Sequence, residues 1–163
     1  MNNRNPVTPE GYEELVKQLH HEKSVVKPGI VKDIEEARAH GDISENSEFE
    51  DAKERQAMCQ GRVIRLENLV ASAEIIDVNK LPKNGRVAFG TWVTIENSDS
   101  GEERVWRIVG ETEGDVSARK LSWKAPVAKA ILGREEGDEV TIPTPGGKQT
   151  WEIVEVHYAT SLT

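Results

Sequence analysis

Two helical patterns of apolar residues fill the first half of the chain, and they differ in regularity. In the second, Phe49, Ala52, Gln56, Cys59, Val63, Leu66, Val70 and Ala73 alternate steps of three and four, the spacing of a heptad seam. In the first, Tyr12, Leu15 or Val16, Leu19, Val26, Ile30, Ile34 and Ala37 form one apolar stripe with a polar slot near Glu22 and Lys23. Thr8-Pro9-Glu10 supplies a helix start, with Thr8 as N-cap and Pro9 in the first helical position, so a helix is predicted over residues 9–40. Pro28-Gly29 lies inside it. An interior proline removes a hydrogen bond and costs about 3 kcal/mol, which predicts a kink or short break there. Only a short connection around residues 41–45 separates the two patterns, and that makes them antiparallel neighbours. Arms of about 30 residues reach roughly 45 Å, more than a core of this size needs, so the hairpin is expected to project as a finger.

Beyond Asp77 the period changes. Asn79-Lys80-Leu81-Pro82-Lys83-Asn84-Gly85 reads as a linker, and alternating segments rich in valine, isoleucine, threonine and tryptophan follow. Strands are predicted over residues 86–89, 91–97, 104–110, 139–142 and 149–156, with hairpin turns at Ser98-Asp99-Ser100-Gly101 and Pro145-Gly146-Gly147-Lys148. A short helix is predicted over residues 126–133, started by Pro126 and ended by Gly133. The fold class is therefore α+β: an antiparallel coiled-coil hairpin over residues 1–78, a linker over 79–84, and an antiparallel sheet domain with a short helix over 85–163.

Charge narrows the functional classes. The chain has 163 residues and a net charge of −8, which argues against gripping nucleic acid with the whole surface and leaves room for a local basic patch. Cys59 is the single cysteine, so no intramolecular disulfide and no multi-cysteine metal site can form. No signal-peptide pattern opens the chain and no apolar run approaches a membrane span. A soluble, cytoplasmic protein is expected, without a membrane partner and acting as a monomer.

The chemistry-bearing segment is Gly41-Asp42-Ile43-Ser44-Glu45-Asn46-Ser47-Glu48-Phe49-Glu50-Asp51, where five carboxylates fall within ten residues with no basic side chain among them. Acids near a helix start complement its macrodipole, so the segment reads either as a charged cap or as a functional tip. As a tip it would complete a partner's metal site, because magnesium keeps several waters and shares its ligands. Behind it, Arg38, Lys53 and Arg55 either hold a phosphate backbone or pair with Glu50 and Asp51 at the surface. Histidines 20, 21, 40 and 157 lack metal-ligand spacing, and Cys59, on the seam, reads as a small buried group. Pro145-Gly146-Gly147-Lys148 lacks the frame of a phosphate-binding loop.

The run Glu36-Ala37-Arg38-Ala39-His40-Gly41-Asp42-Ile43-Ser44-Glu45-Asn46-Ser47-Glu48-Phe49 resembles the tip motif of the Gre family of bacterial transcript cleavage factors. Asn84-Gly85-Arg86-Val87, Arg107-Ile108-Val109-Gly110, Pro126-Val127-Ala128, Ile131-Leu132-Gly133 and Thr144-Pro145-Gly146-Gly147 follow in family order, so the resemblance spans nearly the whole chain. It implies a coiled coil that enters the secondary channel of RNA polymerase and an FKBP-like domain that docks at the channel entrance. Asp42 and Glu45 would then help hold a Mg2+ ion jointly with the polymerase. The polymerase itself would cleave its backtracked RNA, with the factor acting as activator. The resemblance also implies that Arg38, Lys53 and Arg55 serve the nascent RNA 3′ segment, and that Pro126, Ala128 and Leu132 lie in the docking segment. Phe49 stands where the family commonly has tyrosine, so no role needing a phenolic hydroxyl carries over. Two alternatives compete. A channel-binding paralogue that inhibits without cleaving would be expected to alter the acidic tip, which is intact. A prolyl isomerase would need an aromatic-lined pocket, and fold alone does not carry that activity.

Overall fold

The computed structural model describes residues 4–40 and 47–162. Packing divides the chain into two compact units: Tyr12–Ser72, and the chain up to Gly11 together with everything from Ala73 onward.

The helical unit is built from α1 (Pro9–His21), a π-helical segment (Glu22–Val26), α2 (Lys27–Ala39) and α3 (Ser47–Ser72). Its arms run antiparallel: the pairs step from Glu22 with Arg62, through Asp33 with Arg55, to His40 with Glu48, rising along one arm as they fall along the other, and Lys23 pairs with Glu67 near the first of them. The heptad seam behaves as predicted, with Ala52, Cys59, Val63 and Leu66 buried. Ala52, Cys59 and Val63 cluster with Ile30 and Ile34 of α2, and Leu19, Val26 and Phe49 pack around the same cluster; Ala37 is also buried on α2. Of the two candidates on the first arm, Leu15 is buried and Val16 is exposed.

No break in the helix forms at Pro28. The helix continues through it by widening one turn earlier, where the Lys27 N–H donates to the Glu22 carbonyl, five residues back, the spacing that defines a π turn. Two sequence facts meet at this place. From Leu15 to Ala37 the first arm spends 22 residues on six steps of its stripe, whereas α3 spends 21 on six steps from Phe49 to Val70. The wide turn takes up the surplus residue, and the change of hydrogen-bond register falls just ahead of the residue that has no N–H to give.

Glu22, in the polar slot of the stripe, fixes the wide turn to α3. Its carboxylate accepts from Arg62 Nε at 2.8 Å and from Cys59 Sγ at 3.4 Å. The Arg62 guanidinium, with help from the thiol and against the opposing effect of burial, holds the Glu22 carboxyl below its ordinary value. Burial, then Glu22, pushes the Cys59 thiol up, so it stays protonated and serves as a donor.

The sheet unit holds two sheets. β1 (Asn5–Val7) and β2 (Ala73–Ile75), the segments that precede α1 and follow α3 in the chain, pair in parallel. Neither is signalled by the hydrophobic pattern, since three residues are too few to show a period. The larger sheet has the order β5-β4-β3-β7-β6, from β3 (Trp92–Asn97), β4 (Glu103–Val109), β5 (Lys120–Ser122), β6 (Glu139–Thr144) and β7 (Gly147–His157). It is antiparallel except for β5, which lies parallel to β4 and was also too short to read from the sequence. The predicted strand over 86–89 is absent. Arg86 makes an isolated bridge with Glu135, and the chain then turns at Ala88–Thr91, where Thr91 Oγ1 donates to the Ala88 carbonyl at 2.7 Å. The β3–β4 turn forms as expected: the Asn97 carboxamide accepts from the backbone of Asp99 and Ser100, and Gly101 takes the positive φ of 74° that side chains disfavour. α4 (Pro126–Ile131) lays Ala128 and Ile131 into the core with Val93, Ile95, Ile108 and Ile153.

The start of α1 is tied into this unit by charge. Thr8 Oγ1 caps the helix by accepting from Gly11 N–H at 3.0 Å, while the Glu113 carboxylate accepts from the Thr8 N–H, the Thr8 hydroxyl and the Gly110 N–H. A Cβ on Gly11 would collide with that carboxylate, so the carboxylate's close approach requires glycine. Arg107, buried, donates to Glu10 at 2.9 Å and to the Gly90 carbonyl at 3.1 Å.

The Glu22 clamp has a pH signature. A carboxyl lowered by folding stabilises above its unfolded pKa of about 4.3, and that stabilisation is lost as pH falls through the folded value. Glu22→Gln is expected to lower the melting temperature by about 5 °C at pH 7. Circular-dichroism melts should show the difference between the two proteins shrinking as pH falls below the ordinary carboxylate range, and a difference that stays constant through acid would contradict the clamp.

Candidate functional site

Asp42 and Glu45, the residues on which the sequence places metal chemistry, lie outside the described residues. The structure does describe the helix ends that carry them. At the end of α2, Arg38 is exposed, with its guanidinium carbon 5.7 Å from the centre of the Phe49 ring. His40 Nδ1 lies 3.3 Å from Glu48 Oε2 across the connection. Phe49 packs on the cluster formed by Ile30, Ile34, Ala52 and Cys59. One ring thus closes the apolar seam and stacks with a cation, and neither task needs a hydroxyl.

The three basic residues behind the connection are in different situations. Arg55 is engaged: Nη1 donates to Asp33 at 3.0 Å and Nε to Asp51 at 3.2 Å, and Asp33 foremost raises its already high pKa. Asp51 is therefore an ion-pair partner on the shaft. Lys53 makes no ion pair among the described residues and lines a groove of about 460 Å³ with Lys27, Ile30, Gln56, Ala57, Cys59 and Gln60. Lys27 was not singled out by sequence reasoning, and the signal that would have found it is the antiparallel register, which places it across from Gln56 and Gln60. Among the described residues no three His, Cys, Asp or Glu side chains come together as a metal site.

In the sheet unit the three docking candidates also separate. Pro126 is exposed at the start of α4, Leu132 is partly buried after its end, and Ala128 is fully buried in the core. Ala128 supports that face from beneath and offers a partner no surface. Beside them, Lys124 Nζ stands 5.6 Å from the centre of the Trp123 ring.

An antiparallel helical hairpin, with an acid-rich sequence between its arms, and a sheet unit with a short helix together define a two-part, hairpin-plus-sheet class of protein. The N-terminal model of transcription elongation factors matches residues 5–75, and the GreA/GreB C-terminal model of transcription elongation factors matches residues 82–158. The chain belongs to the GreA/GreB family of transcription elongation factors. Transcription elongation factor GreA of Francisella tularensis subsp. novicida is 46% identical over 157 residues, covering 96% of this chain and 98% of the relative; that of Francisella tularensis subsp. tularensis is equally similar. Among solved structures, GreA factor homolog 1 (Gfh1) of Thermus thermophilus aligns at 30% identity and a TM-score of 0.43, over 95% of this chain and 99% of that one. The GreA/GreB factor from Nitrosomonas europaea aligns at 26% identity and a TM-score of 0.43, over 96% and 100%. No helix among the described residues is long and apolar enough to cross a membrane.

Phe49 supplies a test of this end of the hairpin. Phe49→Ala removes a ring from the seam and should cost about 2 kcal/mol in urea unfolding followed by circular dichroism. Phe49→Tyr keeps the ring and should stay within about 0.5 kcal/mol of the parent.

Proposed function

We propose that this chain acts on bacterial RNA polymerase as a transcript cleavage factor. Its helical hairpin enters the polymerase's secondary channel, and the acidic connection promotes the polymerase's own hydrolysis of backtracked RNA. The observation that carries the proposal is the placement of Asp42 and Glu45 at the connection of an antiparallel helix pair, in a chain that both family models cover almost end to end. The factor is an activator, and the catalytic centre belongs to the polymerase.

The donor set supports a shared metal. Asp42 and Glu45 offer hard carboxylate oxygens of the kind magnesium takes, and two such side chains make only part of its shell, so the remainder comes from the polymerase and water. When bound, magnesium neutralises charge on the attacking and leaving oxygens of the phosphodiester. The rest of the chain's contribution is positioning. The seam from Ile30 to Phe49 keeps the two arms in register, and the exposed Arg38 and Lys53, which makes no ion pair among the described residues, offer positive charge to the nascent RNA 3′ segment. Arg55 acts through the shaft, holding Asp33 and Asp51 so that the negative charge nearest the RNA path is compensated. Pro126 and Leu132 form part of the face that docks on the polymerase, and the factor works as a monomer.

Asp42→Asn or Glu45→Gln is expected to reduce stimulated cleavage in a stalled, backtracked complex by about a hundred-fold, the scale of losing one preorganised charged group. Competition for the channel should be retained. If the unmodified protein binds polymerase and cleavage stays at the intrinsic rate, the activator reading fails in favour of a channel-blocking factor.

A further inference from the structure

The middle of the hairpin carries a charge opposite to that of the protein. Residues 17–32 hold four lysines and one carboxylate, and residues 53–65 hold four basic side chains and one carboxylate, in a chain of net charge −8. Helix pairing brings part of this charge into a groove of about 490 Å³ between α1 and α3, walled by Lys17 and His21 on one side and by Arg62 and Arg65 on the other. Leu66 contributes to its lining. Glu22 pins Arg62 in place through the 2.8 Å contact, whereas Lys17 and Arg65 make no ion pair among the described residues. The groove therefore has one pre-positioned guanidinium and two cations left for a partner.

We propose that this groove docks a carboxylate-bearing segment of the RNA polymerase, so that the shaft has an electrostatic contact of its own, separate from the connection and from the sheet unit. The proposal rests on the reading of polymerase as partner. Two features favour an acidic protein segment over nucleic acid. Glu14 and Glu22 also line the groove, and Gln18 donates to Glu14 at 3.3 Å. A phosphate chain has a charge on every nucleotide and would meet these acids, whereas a peptide can place its carboxylates opposite Lys17, Arg62 and Arg65 and a neutral hydrogen-bonding side chain opposite Glu14. Distance points the same way. Arg65 stands 18 residues along α3 from Ser47, about 27 Å at 1.5 Å per residue, well behind Lys53 and the RNA 3′ segment assigned to it.

The groove lies on exposed helix surface, so charge can be reversed there without opening the seam. Binding of the full chain to purified bacterial core RNA polymerase is measured at low and at high salt, alongside binding to a single-stranded RNA oligonucleotide. The Lys17→Glu/Arg65→Glu double variant is expected to bind polymerase about ten-fold more weakly at low salt, with the difference shrinking at high salt as the contact is screened. RNA binding should not change, and helix content by circular dichroism should match the parent. Glu14→Lys, which adds to the cationic wall, should move polymerase affinity in the opposite direction. If the parent binds polymerase and both variants bind equally well, the docking groove is wrong while the polymerase reading stands. If the double variant loses RNA binding and keeps polymerase binding, the groove is a phosphate track and the proposal is overturned. Should the parent fail to bind polymerase at all, both readings fall together. If the double variant melts early, Lys17→Gln/Arg65→Gln replaces it, with a smaller loss expected and an unchanged affinity again counting against the groove.

Discussion

One arm of the hairpin has a residue more than the other over the same six steps of the seam, and the register of the helix pair depends on where that residue goes. It is absorbed in the wide turn Glu22–Val26, where the helix changes hydrogen-bond spacing without being interrupted. A wide turn is a poor hydrogen-bonding arrangement left to itself. Here Glu22 fastens it to Cys59 and Arg62, and Lys23 pairs with Glu67 one residue further on. From that clamp the register runs through Asp33 with Arg55 to His40 with Glu48, so the alignment of the helix ends flanking the acidic connection is set some 20 residues away.

The seam of α3 was legible because a buried helix face must recur every three to four residues, and Ala52, Cys59, Val63 and Leu66 do so without a slip. The hairpin turn at Gly101 was legible because few residues accept its backbone geometry. The wide turn was half visible: the polar slot at Glu22 marked the place, but Pro28 drew the interruption towards itself, since local chemistry alone cannot show that a neighbouring helix will supply a clamp. β1 and β5 were invisible because three residues carry no period. Residues 86–89 alternate like a strand, yet Val87 exchanges backbone hydrogen bonds with Gly133 and Arg134, so that its N–H and carbonyl are satisfied by the turn after α4 and not by a neighbouring strand of the sheet. For the candidate site, residue types could be read and their pairing could not. Lys53 and Arg55 look alike in sequence, and only the register of the arms shows that Arg55 faces Asp33 while Lys53 faces a groove.

The sheet unit shows the same economy of charge. Arg107 is buried in the sheet and Glu113 follows six residues later, and each reaches the few residues that begin α1. A buried guanidinium left without its carboxylate would be costly, and a buried helix start without an acceptor equally so. Glu10 and Thr8 meet both needs together. Burial tends to raise the Glu10 carboxyl, and the backbone and Arg107 contacts outweigh it and hold it low. The first residues of the helix are thus part of the sheet unit's own hydrogen-bonding, which is why that unit takes in the chain as far as Gly11.

Charge is sorted along the hairpin by the same register. The connection gathers carboxylates, Arg38 and Lys53 stand behind them, and the surplus of basic side chains falls in the middle of the shaft. A net charge of −8 keeps the surface as a whole from adhering to nucleic acid, so attraction to a polyanionic complex has to be local. Acids alone at the leading end would be repelled by RNA and by a metal site's own carboxylates. Cations close behind the acids offset that repulsion within about one Debye length, and Arg55, already paired, does so while keeping the arms aligned. The ion pairs that hold the hairpin together therefore also decide how much free positive charge it can present: each basic residue consumed by register is one fewer for a partner, and among the described residues Lys17, Lys27, Lys32, Arg38, Lys53 and Arg65 are the hairpin cations outside any ion pair.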